Sequence, residues 1–232
     1  QNLQLPYNVA YSANCSTPKG VVVAGGENAK GAIANVLLLN WNEAAQNVSV
    51  EELPALPQTL SGGAIAADGD KIYFAGGQNM RTVSDQLYML DLNDTTKGWQ
   101  VISQLPKPVA YTVLYIQSDG KEKHLYLAGG RKMNVDATSD LYKDVYQFDL
   151  VKKKWSQKAS LPYALSAHSG VAFGENELLV FSGDRGETFH KTELLLVQIA
   201  NEKDAAKKHL LIGEKNKLQE SHPGFSQEVW VY

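Results

Sequence analysis

Short apolar runs alternate with polar turns along the chain as far as about residue 186, and their length predicts β-strands. Three runs of four residues are apolar at nearly every position, and a Gly-Gly pair follows each at once: Val21–Ala24, Ile72–Ala75 and Leu125–Ala128. A strand that is apolar on both faces is typically covered on both faces. The pattern therefore predicts inner strands that lie between neighbouring sheets.

The same order of parts recurs with a period near 50 residues. Gly-Gly pairs begin at Gly25, Gly76 and Gly129, spaced by 51 and 53 residues, and Ser182-Gly183 follows as a degenerate copy. Apolar-proline pairs and tryptophans recur in register with them: Leu5-Pro6, Leu56-Pro57, Leu105-Pro106, Leu161-Pro162, Trp41, Trp99 and Trp155. This period and signature are typical of kelch repeats, each of which is one four-stranded blade of a β-propeller.

The parts of the repeat have physical roles. Each Gly-Gly pair should end a second strand, where a side chain would block a left-handed turn or the close approach of another backbone. We expect equivalent positions for Gly25, Gly76, Gly129 and Gly183. Each tryptophan should follow a strand and pack its ring between blades, and each apolar-proline pair should mark the crossing to the next blade.

The repeat pattern predicts one all-β kelch propeller domain over residues 1–232, with four blades at about 9–53, 61–103, 109–158 and 166–232. The predicted first strands of the blades are 10–16, 61–67, 110–117 and 166–173. Hairpin turns are expected at Asp68–Asp70 and at Ser118–Gly120, between first and second strands. The last blade has no candidate for a fourth strand, so we expect the chain to be part of a longer propeller.

The fourth repeat loses strand alternation after Glu187 and becomes rich in Lys, Glu, Leu and Ala. This composition predicts a helical insertion over about 188–220, with helices at 188–200 and 202–219, outside the blade core. Asn201 should cap the second helix, with Asp204 in its first turn, and Pro223 lies just beyond its end. Residues 228–232 resemble a delayed third strand of the blade.

Composition narrows the classes of partner. The chain has 44% hydrophobic and 20% charged residues and a net charge of −3. Without a basic excess, nucleic acid is not an expected partner. Without a run of 18 apolar residues, no membrane span is expected. The single cysteine, Cys15, lies in a predicted strand and is interpreted as a small buried hydrophobe.

Several segments resemble a known family. They are Val9–Ala13, Gly20–Asn28, Asn35–Leu39, and the insertion that ends in Ser221–Phe225 before Glu228–Tyr232. Together they resemble the kelch-repeat N-acetylneuraminate (sialic acid) mutarotases, also called epimerases, of bacteria, and in particular the cyclically permuted members. The kelch part alone does not specify a function, since propellers have many functions.

The resemblance implies a six-bladed propeller and a carbohydrate isomerase that interconverts the α and β anomers of free sialic acid. It implies no metal or organic cofactor, and a periplasmic or secreted bacterial protein. The family's proposed catalytic pair is a Glu and an Arg in a Gly-Glu…Arg-Thr stretch on the blade after the insertion. This sequence contains no such stretch, so the pair is expected beyond Tyr232 and the catalytic residues stay unassigned.

Mutarotation needs a base for the anomeric hydroxyl and an acid for the ring oxygen, and the sugar's carboxylate favours Arg. Loops after the Gly-Gly pairs supply the candidate substrate-binding residues, together with one histidine on a predicted innermost strand: Glu27, Arg81, Arg131, His168, Asp184 and Arg185. His190 and His222 flank the insertion as weaker candidates. The alternative interpretation gives the charges surface roles, lets Asp184 and Arg185 neutralise each other, and makes His168 structural.

Two other functions remain open. The chain fits a non-catalytic kelch module that binds a protein or glycan through its loop face, or a structural set of blades within a larger secreted hydrolase. Metal chemistry is not indicated, because the five histidines show no ligand spacing and HExxH and CxxC are absent. A copper site of the oxidase type would need Tyr, Cys and His ligands, which the lone Cys15 does not favour.

Overall fold

The computed structural model describes residues 4–232, so the first three residues of the predicted domain lie outside the described part. Four antiparallel sheets follow one another along the chain. Blade I contains β1 (Ala13–Thr17), β2 (Gly20–Ala24), the short ribbon β3 (Glu27–Asn28) and β4 (Gly31–Ala32), β5 (Val36–Asn42) and β6 (Asn47–Leu53). Blade II contains β7 (Ala64–Asp68), β8 (Lys71–Ala75), β9 (Gln86–Asp91) and β10 (Gln100–Gln104).

Blade III contains β11 (Val113–Ser118), β12 (Lys123–Ala128), the ribbon β13 (Arg131–Lys132) and β14 (Asp140–Leu141), β15 (Val145–Asp149) and β16 (Lys154–Gln157). Blade IV contains β17 (Ser169–Phe173), β18 (Glu177–Phe181), α1 (Glu187–Asn201), α2 (Ala205–Glu220) and β19 (Val229–Val231). The hydrogen-bonded orders are β1-β2-β5-β6, β7-β8-β9-β10, β11-β12-β15-β16 and β17-β18-β19. The fold is therefore all-β, with the kelch-type propeller blades and the late helical insertion that the repeat predicted.

The Gly-Gly pairs end the second strands in left-handed backbone, as expected. Gly76 has a φ of 66°, and a Cβ at this position would lie 2.1 Å from the carbonyl oxygen of Val109. Ser182 takes the same left-handed conformation, with a φ of 65°, at the first position of the degenerate pair. The expected equivalence of Gly183 with the first glycines is wrong, because Gly183 corresponds to the second glycine of each pair, such as Gly77.

The first strand of each blade begins about three residues later than predicted. A single bridging residue comes first, and a left-handed residue then breaks the strand before it resumes. The left-handed residues are Tyr11, Gly62, Tyr111 and Ala167. Their backbones join blade to blade: the Gly62 N–H donates to the Tyr11 carbonyl at 2.9 Å, the Tyr111 N–H to the Gly62 carbonyl at 2.6 Å, and the Ala167 N–H to the Tyr111 carbonyl at 2.9 Å. These bonds connect the four blades in series beside the central channel.

Apolar clusters fill the three spaces between successive blades. Trp99 is buried there, and its indole N–H donates to the carbonyl of Pro54 at 2.8 Å. Trp155 donates to the Ser103 hydroxyl of blade II at 3.2 Å. The prediction is wrong for Trp41, which lies inside β5 with 53% of its surface exposed. Two of the three tryptophans therefore couple blades.

The helical insertion lies largely outside the blade core. Leu195 is the buried residue of α1, and α2 contributes none. Asn201 was expected to cap α2, but it is the last residue of α1, and the Asp204 side chain accepts from the N–H groups of Ala206 and Lys207 instead. A carboxylate at this position also favours the positive end of the helix dipole. In the described part of the chain, neither helix combines the length and the apolar character that a membrane crossing requires.

Candidate functional site

Four consecutive blades present a polar residue at one structural position, directly after the glycine pair or its copy. These residues are Glu27, Gln78, Arg131 and Asp184, which we call the mouth ring. Each forms an isolated antiparallel bridge with the residue that precedes the left-handed break of its own blade. The mouth ring therefore lies where the first strands begin, at one end of the channel that these strands line. Sequence reasoning missed Gln78, although its register after Gly77 is the same as that of the other three.

Arg131 is the residue of the mouth ring with the most specific surroundings. Its guanidinium carbon lies 4.4 Å from the ring centre of Tyr111 and 4.2 Å from that of Phe189, so aromatic rings contact it on two sides. Within residues 4–232 it forms no ion pair with a carboxylate. Guanidinium groups that stack on aromatic rings keep their edge N–H groups available for a planar anion. Arg131 is thus a held cation without a protein counter-ion in the described chain.

Tyr111 connects Arg131 to blade I. Burial raises the pKa of Tyr111, the guanidinium of Arg131 opposes that rise, and the carboxylate of Glu27 adds to it. The Tyr11 ring also packs edge-on to the Tyr111 ring, with 5.9 Å between centres. An acid from blade I and a cation from blade III therefore act on the same phenol. We call Tyr11, Glu27, Tyr111, Arg131 and Phe189 the mouth cluster.

Arg131 is part of a short strand and does not lie at a loop tip. Arg131 begins β13, its backbone pairs with Leu141, and it also exchanges two backbone hydrogen bonds of 2.8 Å with Ala110. The side chain is half-buried. Its loss removes cation–π contacts worth about 0.5–2 kcal/mol, so functional tests need variants with checked stability.

Asp184 and Arg185 do not neutralise each other, contrary to one expectation. An oxygen of Asp184 accepts from the N–H of Gly186 at 2.6 Å, and the other lies 3.7 Å from Nε2 of His222. Arg185 instead stacks over the ring of Tyr163 at 3.6 Å and pairs with Glu228. The two neighbours in sequence therefore belong to different contacts.

A polar cleft of about 420 Å³ opens beside these residues, between the start of α1 and residues 222–228. Its charged and titratable lining groups are Asp184, Arg185, Glu187, His222 and Glu228. The hydroxyl of Tyr163 donates to Glu228, and this bond and Arg185 together lower the pKa of Glu228. His222 accepts from the N–H of Gly224 through Nδ1, so its proton resides on Nε2, which faces Asp184.

His168 borders the central channel of about 340 Å³, but it lies just before β17 and not on the strand as predicted, and its side chain is packed into the wall. Nε2 lies 3.1 Å from the carbonyl of Ala128, and burial lowers the pKa of His168 to about 4. Cβ atoms added at Gly129 and Gly183 would lie 2.8 and 2.6 Å from His168 atoms. These contacts favour the structural interpretation of this histidine.

Arg81 lies apart from the mouth ring. It is exposed in a turn that the side chain of Asn79 organises by accepting from the Arg81 N–H at 2.9 Å. With Lys30 it lines a shallow cleft between the loops of blades I and II, and that lining contains no member of the mouth ring. The structure does not bring Arg81 together with Arg131.

The remaining candidates have structural contacts. His190 lies on α1 with Nε2 at 3.0 Å from the carbonyl of Ser139. Cys15 is half-buried on β1, and burial raises the pKa of its thiol to about 12, which leaves little thiolate for nucleophilic chemistry. Within residues 4–232, no three His, Cys, Asp or Glu side chains converge as metal ligands would.

Comparison with known proteins gives a consistent family. The family model for N-acetylneuraminate epimerase matches residues 53–232. The N-acetylneuraminate epimerase of Salmonella typhi is 26% identical over 182 residues, which cover 78% of this chain and 45% of the relative. N-acetylneuraminate epimerase 1 of Escherichia coli O6:H1 is 30% identical over 136 residues, covering 58% of this chain and 34% of the relative. The chain spans about half the length of the curated relatives it matches.

A solved structure, that of YjhT, has a similar fold. It superposes with a TM-score of 0.62 at 17% identity, over 78% of this chain and 60% of that chain. The likeness supports the blade arrangement described above. The match of the family model over most of the chain, together with this fold, shows that the chain belongs to the N-acetylneuraminate epimerase family.

Proposed function

We propose that this chain takes part in the interconversion of the α and β anomers of free N-acetylneuraminate, with the mouth cluster binding the sugar. The two relatives described above carry the name N-acetylneuraminate epimerase. The observation that carries the proposal is the guanidinium of Arg131, held between Tyr111 and Phe189 without a counter-ion in the described chain. It suits a ligand that brings its own carboxylate.

The position of the carboxylate in the substrate makes this contact relevant to the chemistry. In N-acetylneuraminate the carboxylate is bonded directly to the anomeric carbon. An Arg that binds it therefore holds the reacting centre next to the mouth ring. A charge-assisted contact of this kind is worth about 1.5–3 kcal/mol.

Ring opening transfers one proton from the anomeric hydroxyl and delivers one to the ring oxygen, while the bond between the anomeric carbon and the ring oxygen breaks. The resulting ketone rotates, and the hydroxyl formed from the ring oxygen attacks its other face, which reverses both transfers. We assign Glu27 as the base, since it carries a carboxylate in the mouth cluster. Tyr111 is the donor, because a phenol is protonated at neutral pH and this one lies against Arg131 in the mouth cluster.

Exchange spectroscopy by NMR tests the proposal directly. The chain should accelerate exchange between the anomer signals of N-acetylneuraminate, and Arg131→Ala should weaken binding about ten- to a hundredfold by calorimetry. Arg81→Ala is the matched control, an exposed arginine outside the mouth ring, and should leave both readouts unchanged. Binding without faster exchange would favour the non-catalytic glycan-binding alternative, and unchanged affinity of Arg131→Ala would contradict the assigned site.

A further inference from the structure

The two aromatic rings on Arg131 come from different blades. Tyr111 belongs to blade III, like Arg131 itself. Phe189 belongs to α1, the helix inserted in blade IV. The helical insertion therefore reaches back over the preceding blade and covers one side of a cation in the mouth ring.

Ser139 fixes α1 in this position. This residue lies in the loop between β13 and β14 and is only 3% exposed. Its N–H and its hydroxyl donate to the two carboxylate oxygens of Glu193 at 2.9 and 2.6 Å, and its carbonyl lies 3.0 Å from Nε2 of His190. All three polar groups of one buried residue thus bond to α1. The loop that follows Arg131 and the helix that carries Phe189 are tied together.

We propose that Phe189 is a positioning residue that orients the guanidinium of Arg131 for a carboxylate ligand, and that the α1 insertion places the Phe189 ring against this guanidinium. The inference rests on the proposed function for the identity of that ligand. An unrestrained arginine loses side-chain entropy when it binds an anion, and a guanidinium held between two rings has already lost part of it. Phe189 touches the arginine, and no contact of its own with the sugar is required.

Three variants separate positioning from stability. Phe189→Leu keeps an apolar side chain but removes the aromatic face, and should lower the affinity for N-acetylneuraminate about three- to tenfold, because the cation–π contact with the guanidinium is lost. Phe189→Tyr restores the face and should bind within about twofold of wild type. Leu196→Ala, at a half-exposed position of the same helix, is the control and should bind like wild type. Loss of affinity in Leu196→Ala equal to that in Phe189→Leu would overturn the inference.

A double-mutant cycle locates the effect on Arg131. In an Arg131→Lys background, which keeps the charge but not the planar stack, Phe189→Leu should change affinity less than about twofold. The same loss in both backgrounds would mean that Phe189 acts independently of Arg131, and the inference would be wrong. Glu193→Gln, which weakens the anchor at Ser139 and leaves Phe189 intact, should give a smaller loss in the same direction.

A readout without sugar keeps this inference separate from the proposed function. Phenylglyoxal modifies accessible arginines, and peptide mass spectrometry gives the rate at Arg131. That rate should rise at least about threefold in Phe189→Leu and stay unchanged in Leu196→Ala, as expected for loss of one covering face. If wild type fails to bind N-acetylneuraminate, the proposed function fails, while a faster reaction in Phe189→Leu still supports the role of Phe189 in holding Arg131. Equal rates in all variants would refute that role.

Discussion

At the scale of single residues, two neighbours in sequence have different contacts. Asp184 faces Gly186 and His222, whereas Arg185 stacks on Tyr163 and pairs with Glu228. In the sequence, the opposite charges of Asp184 and Arg185 add to zero, so the two residues look like one neutral pair. The tertiary contacts instead place the carboxylates of Asp184 and Glu228 on one cleft, each with a hydrogen-bond donor of its own.

His168 makes stability depend on pH. Its pKa is about 4 in the folded protein, below the ordinary value of 6.5, because burial penalises the charged form. Between these values the unfolded chain binds the extra proton, so stability should fall as pH drops from 6.5 towards 4, by up to about 1.4 kcal/mol per pH unit. Above pH 6.5 this residue contributes no pH dependence.

Urea unfolding at pH 7.5 and pH 5 measures this loss. His168→Gln, which keeps a donor for the Ala128 carbonyl, should show a smaller drop between the two pH values than wild type. His209→Gln, at an exposed position on α2, should behave like wild type. An identical drop in wild type and His168→Gln would show that the buried imidazole is not the titrating group.

At the scale of secondary-structure elements, the blade depends on where the second strand stops. The glycine pair ends that strand and turns the chain, and the second residue of the pair donates to the next blade: the Gly77 N–H bonds the Val109 carbonyl at 2.9 Å. The side chain that follows is then directed to the channel mouth. Strand termination and site position are thus consequences of the same backbone conformation.

Two glycines with similar φ angles allow the cost of left-handed backbone strain to be separated from the cost of a clash with an added Cβ. Gly69 has a φ of 58° with no heavy atom within 4 Å of an added Cβ, whereas Gly76 has a φ of 66° and the Val109 carbonyl at 2.1 Å. Gly69→Ala should cost about 1–2 kcal/mol, the penalty of a left-handed residue. Gly76→Ala should cost more than about 3 kcal/mol, since backbone must also move. Equal costs in chemical unfolding would contradict the packing described here.

At the scale of the whole molecule, blades are joined by three kinds of contact. Apolar clusters fill each space between them, backbone hydrogen bonds link their left-handed residues in series, and the α1 helix bonds from blade IV onto blade III. The mouth cluster draws on three blades, so its geometry depends on blade packing as much as on its own loops.

The tryptophans report on this packing. Trp99→Phe removes the indole that donates to Pro54 across the space between blades I and II, and should cost about 1–3 kcal/mol through the unpaired carbonyl and the lost volume. Trp41→Phe, at a half-exposed position, should stay within about 0.5 kcal/mol of wild type. Thermal or urea unfolding measures both, and a larger cost at Trp41 would reverse the assignment of which tryptophan couples blades.

The sequence by itself determined the blade pattern, the positions of the glycine pairs and the helical insertion, because these depend on local properties. Short apolar runs, left-handed backbone and strand-breaking composition are encoded within a few residues of each other. The same locality explains two misses. The late start of the first strands depends on a residue with left-handed backbone, and a Tyr at position 11 or an Ala at position 167 does not indicate that conformation. The cap at Asp204 instead of Asn201 depends on which side chain reaches the helix N–H groups.

The candidate site was decided by the tertiary structure. Glu27, Arg81, Arg131, Asp184 and Arg185 look alike in sequence, as charges in loops after a glycine pair. Only the packing of separate blades shows that Arg81 lies in another cleft with Lys30, and that Tyr111 and Phe189 meet on Arg131 from positions 78 residues apart in the chain. Such contacts depend on long-range packing, and no local pattern records them.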